Sequence, residues 1–154
     1  MVFTSDSGIC FYGVNVDYGQ SGEVNPGSND VCVLCNNAPE SRSHLFFECK
    51  FSAQLWEFIA KGLLCNLFTT TLSEIIPIIS DKTREKKSLL CIRYAFQAVL
   101  YALWRERNKL KHGDKMMPLP VLKRVAEKRI HNRINLVCRS GVRGMEEHAI
   151  LVSI

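Results

Sequence analysis

Residues 32–49 read CVLCNNAPESRSHLFFEC. Cys32, Cys35, His44 and Cys49 stand there in the spacing C-x2-C-x8-H-x4-C. Zinc takes four sulfur or nitrogen donors at tetrahedral corners. A C-x2-C pair supplies two thiolates from one tight turn, so the second pair must come from a segment that folds back. Asn36, Asn37 and Pro39 favour that reversal. His44 and Cys49 lie on the approach to an apolar helix and complete a Cys3His set. The outer spacings equal those of a retroviral zinc knuckle, whose central gap is four residues where this one has eight. A redox dithiol at Cys32 and Cys35 is the competing reading, and no strand–helix–strand pattern surrounds it. Isolated cysteines are commonly core residues, but four ligand types inside eighteen residues are harder to place that way.

The stretch sits in a chain of 154 residues with 47% apolar and 23% charged residues. That composition fits one globular domain and excludes a disordered chain. The net charge of +5 is unevenly placed. The first 41 residues hold five acids and no Lys or Arg, while Tyr101–Arg139 hold eleven Lys or Arg against three acids. Such asymmetry points to an anionic partner for the second half or, more plainly, to solvated helix faces. No signal peptide is legible at the start. LLCNLFTTTLSEIIPII (63–79), the most apolar run, is interrupted by Glu74 and Pro77 and falls short of a bilayer span. The expected location is therefore intracellular, in nucleus or cytoplasm, neither secreted nor in a membrane. Seven cysteines in a reducing compartment argue against a disulfide framework. With three on a metal, Cys65, Cys91 and Cys138 read as small buried hydrophobes.

Four segments follow. Residues 1–30 are rich in turn residues and read as irregular, with one candidate strand at Ile9–Val16. Residues 31–64 are the metal module and the helix after it, in which Phe51, Leu55, Trp56, Phe58, Ile59 and Leu63 recur at helical spacing. Residues 65–140 are helical. Leu72–Ile79 is a short helix or turn with Ser73 as N-cap and Pro77 as breaker. Residues 85–112 form the strongest helix, with Leu89, Ile92, Phe96, Val99, Leu100, Leu103 and Leu110 as its stripe and Gly113 as its stop. The prolines of MMPLP suit the first turn of a last helix, which turns Val121, Leu122, Val125, Ile130, Ile134 and Val137 inward and stops at Gly141. Residues 141–154 are a tail. The fold class expected is mainly α: a small Cys3His module followed by a few packed amphipathic helices.

CVLCNNAPESRSHLFFECKFSAQLW resembles the zinc-binding region of plant non-LTR retrotransposon reverse transcriptases. That family reads C-x-x-C, an E-S/T pair, HLFF-x-C, then F-S and a Trp; here these are Cys32, Cys35, Glu40, Ser41, His44–Phe47, Cys49, Phe51, Ser52 and Trp56. FQAVLYALWRERNKLKHG (96–113) is similar to the segment that commonly follows. The resemblance spans roughly residues 30–140 and implies a bound Zn2+ on the Cys3His quartet. Residues 1–30 do not match the basic, amphipathic helix the family usually has there. The family's polymerase domain and its Tyr/Phe-x-Asp-Asp motif are not in this sequence, so the chain reads as a detached C-terminal piece.

Four protein ligands leave no open position on the metal, which implies a structural ion. There is no Ser/His/Asp signature, no phosphate-cradling glycine loop and no catalytic carboxylate pair, so neither an enzyme nor a small-molecule substrate is expected. The first functional reading is nonspecific binding of single-stranded RNA or DNA through Arg105, Lys109, Lys111, Lys123, Arg124, Lys128, Arg129 and Arg133, joined by Arg107 and His112. Trp104 either stacks on a base or, more commonly for such a residue, fills the core. The second reading is a protein-interaction or structural module whose apolar faces pack on a polymerase domain of a retroelement protein.

Overall fold

The computed structural model describes residues 31–139. The irregular segment and strand expected within residues 1–30, the tail from 141 and the Gly141 stop lie outside these residues, as does the side chain of Cys138. The described chain is helical. Its one β feature is an isolated antiparallel bridge between Val31 and Pro39. After a short π-helical turn at His44–Glu48 come α1 (Lys50–Leu64), α2 (Leu72–Ser80), α3 (Lys86–Lys111) and α4 (Leu119–Arg139). A 3-10 turn at Cys65–Leu67 links α1 to α2. Among the described residues no single helix is long and apolar enough to cross a membrane.

Helices α1, α3 and α4 pack together, and the π turn lies against α1 and α3. Leu45, Phe47, Leu55, Trp56, Ile92, Phe96, Val99, Leu103, Leu122 and Ala126 belong to one buried cluster, which also includes Cys32 and Cys49. At its centre the Phe47 ring stacks on Phe96 at 5.6 Å. Trp56 meets both edge-on at 5.9 Å. Its indole N–H donates to the Thr69 carbonyl at 2.8 Å, which holds the α1–α2 loop against the helix. The aromatic residues of the sequence motif are thus the core that joins the cysteine segment to α3.

Helix ends follow local chemistry. Gly113 takes φ +85. Its N–H donates to Leu110 O, and the Asp114 N–H to Lys109 O, the Schellman arrangement that satisfies the last carbonyls. Pro118 accepts from the N–H groups of Val121 and Leu122 at the start of α4. Three expectations need correction. Thr71, rather than Ser73, occupies the N-cap position of α2, and Pro77 lies inside that helix. Pro77 is exposed, so the carbonyl it leaves without an intrahelical donor faces the wet side of the helix. Val121 and Val125 are 47% and 43% exposed. Helix α4 meets its neighbours along Leu122, Ala126 and Ile130, and at about 100° per residue the two valines fall off that line. Cys65 is exposed rather than buried, because α1 ends at Leu64 and the chain turns outward with Cys65 at φ +49.

Candidate metal centre and cationic faces

The cysteine segment folds back on itself as its turn residues require. The Cys32 N–H donates to Ala38 O at 2.8 Å and the Asn36 N–H to Cys32 O at 2.7 Å. Asn36 adopts φ +51, a left-handed conformation that Asn tolerates. This loop places the thiols of Cys32 and Cys35 on one side. The second pair depends on the π turn. Residues five apart on an α-helix point about 140° away from each other. Here the Cys49 N–H donates to His44 O at 2.7 Å, an i→i+5 bond. The wider turn brings His44 and Cys49 round to the same side. Leu45, Phe46 and Phe47, between them, are buried in the core, and the Ser52 hydroxyl donates to Leu45 O at 2.5 Å, fastening the turn to α1.

The four donor atoms lie within 4.8 Å of one another. Cys32 Sγ is 4.0 Å from Cys49 Sγ, and Cys35 Sγ is 3.3 Å from His44 Nε2. A tetrahedral ion with Zn–S bonds of about 2.3 Å sets its ligands about 3.8 Å apart. The quartet therefore fits one zinc-sized ion, with all four corners taken by protein. Burial and hydrogen bonding together drive the thiols of Cys32 and Cys35 apart in acidity. Burial pushes Cys32 up to about 12. Burial also pushes Cys35 upward, but hydrogen bonds from His44, the Asn37 backbone, Cys32 and Cys49 outweigh it and bring that thiol down to about 7.

The cationic residues divide into two groups. On one flank of α3 they are held by buried acids. Arg107 donates from Nε and Nη2 to Glu40 Oε1 at 2.9 and 2.5 Å, and Lys111 Nζ lies 3.8 Å from the same oxygen. Lys109 Nζ pairs at 2.8 Å with Glu106, whose other oxygen accepts the Met117 N–H at 2.8 Å. Arg107, expected on the basic surface, is buried instead, because the Glu40 carboxylate draws its guanidinium inward. On the other flank Arg129 lies over the Tyr101 ring at 4.5 Å, and Arg133 lies over Tyr94 at 5.6 Å with its Nε 3.0 Å from the phenol oxygen. Arg105 lines a groove between α3 and α4. Lys123 sits over Phe58 at 5.4 Å, while Arg124 and Lys128 are exposed on α4. Trp104 is half-buried against the core.

Glu40 and Glu106 are residues whose burial sequence reasoning did not foresee. Glu106 had a local signal: it continues the stripe Ile92, Phe96, Val99, Leu103 at a position where an apolar side chain belongs. Glu40 had only its place in the family motif.

The family model described as zinc-binding in reverse transcriptase matches residues 21–56. The match covers all four ligands and ends at Trp56, so the chain is similar to that family over its metal module. No curated protein and no solved structure matches.

Proposed function

We propose that this chain is a zinc-organised nucleic-acid-binding module of the kind carried by plant non-LTR retroelement reverse transcriptases, and that it performs no catalysis of its own. The observation that carries the reading is the pairing of a closed Cys3His site, within a match to a reverse-transcriptase zinc family, with cations exposed on α4 and lining the α3–α4 groove. A closed site has no position for water or substrate, so the ion is structural. Arg105, Arg124, Lys128 and Arg129 are long cations on helices, a geometry suited to phosphates and without a base code. The decisive measurement is zinc content together with titration by single-stranded oligonucleotides at several salt concentrations. One zinc per chain is expected. With three or four phosphates contacted, the log–log salt slope should be roughly −2 to −3. A protein without zinc, or binding indifferent to salt, overturns the reading.

A second reading, docking onto a polymerase domain, is favoured by one observation: Phe58, Leu67, Val121, Val125 and Leu136 are between 43% and 55% exposed. On that reading the isolated chain self-associates and leaves nucleic acid unbound.

A further inference from the structure

The cations on the two flanks of α3 differ in what holds them. Arg107, Lys109 and Lys111 answer to buried carboxylates. Among the described residues, the groove between α3 and α4 is lined without a single acid. Its floor is small and apolar, with Ala98, Ala102 and Ala126, and its polar walls are Tyr101, Arg105 and Arg129. Beyond it, Tyr94 and Arg133 repeat the pairing of Tyr101 and Arg129.

We propose that this groove is a stacking track for single-stranded nucleic acid, in which Tyr101 receives a base and Arg105 and Arg129 take the neighbouring phosphates. The inference rests on the nucleic-acid reading above and makes it specific: bases are contacted, not the backbone alone. A planar guanidinium over a tyrosine ring occupies the position a base would take. The contact is weak where it is exposed to water, as Arg129 is, so a base can displace it and free the arginine for a phosphate. The alanine floor lets the strand approach both helices. A duplex hides its bases' faces and fits this track poorly.

The test uses the full zinc-loaded chain and measures anisotropy at fixed salt with four probes: a thymidine oligonucleotide, its RNA counterpart, an abasic strand of equal length and a duplex. Base-bearing single strands should bind at least about fivefold more tightly than the abasic strand. Tyr101→Ala should erase that preference while leaving the salt slope unchanged, and Tyr101→Phe should keep it. Arg129→Gln, on an exposed position that leaves the fold intact, should weaken all strands and flatten the slope by about one phosphate contact. The DNA and RNA arms decide which sugar the track prefers. Equal binding of abasic and base-bearing strands, or a preference that survives Tyr101→Ala, overturns the track while salt-dependent binding still supports the broader reading. Absence of any nucleic-acid binding overturns both.

Discussion

One oxygen of Glu40 accepts hydrogen bonds from two nitrogens of Arg107 and lies 3.8 Å from a second cation, Lys111. The side chains of Glu40 and Arg107 are only 3% and 11% exposed, so water does little to screen them. Breaking such a pair from one side leaves a buried charge without its partner, at a cost of about 3–5 kcal/mol. Glu40→Gln should therefore lower the denaturation midpoint sharply, whereas Glu57→Gln, which removes an exposed pair with Lys61, should leave it unchanged. Equal effects of the two would show that the Glu40 bridge contributes no more than a surface contact. The thiols make a second prediction. Metal binding needs them deprotonated, and Cys32, at about 12, still carries its proton at neutral pH. Zinc must displace that proton, so affinity rises with pH and should fall by at least about one log unit per pH unit on acidification. In the metal-free protein Cys35 is depressed from 9.0 to about 7, so its stabilising effect is present above 9.0 and fades as pH falls through 7. The Cys32 shift has the opposite sign: its contribution is full below 9.0 and is lost as pH rises toward 12. Chelator competition followed between pH 6 and 8 checks the zinc slope, and a flat profile contradicts it.

At the scale of elements, helix α3 ends on Gly113, where φ is +85 and a Cβ would meet open space. A substitution there tests conformation alone, free of any clash. Gly113→Ala should cost about 1 kcal/mol through the left-handed penalty, read as a lower melting temperature with zinc content unchanged. How far such elements were readable depended on how local their causes are. The α3 stop, the cysteine loop and the ligand quartet were legible because each is decided within a few neighbouring residues. The π turn was not, since an i→i+5 bond has no residue signature of its own; it shows only in the H-x4-C spacing, which an α-helix would not serve. The Glu40–Arg107 bridge joins residues 67 apart and depends on packing that no window along the chain contains. Val121 and Val125 read as inward because apolar periodicity fixes which residues share a face and leaves open how wide a strip the neighbouring helices cover.

Across the whole molecule, the metal loop and the helices share a single core. Leu45, Phe46, Phe47, Cys32 and Cys49 are buried in the same cluster as Phe96 and Leu103. Releasing the ion should therefore do more than loosen one loop. Structural zinc contributes on the order of 10 kcal/mol in small domains, about as much as the whole stability of an ordinary one. Chelation should lower both the helical circular dichroism and the melting temperature of the full chain, and Cys49→Ser should reproduce the effect while Cys65→Ser, at an exposed thiol, should not. Retention of full helicity after complete zinc removal would show that the helices stand without the loop.

The carboxylate of Glu106 reaches across the α3–α4 connection to the Met117 N–H, eleven residues on, while fully buried itself. It acts as a ruler for the connection. Residues added between Gly113 and Met117 would carry that N–H away from an oxygen that water cannot reach, whereas the exposed turn at Lys82 and Thr83 has no such tie to a buried group. An insertion library along this chain should accordingly yield folded protein with extra residues before α3 and little or none with extra residues after it.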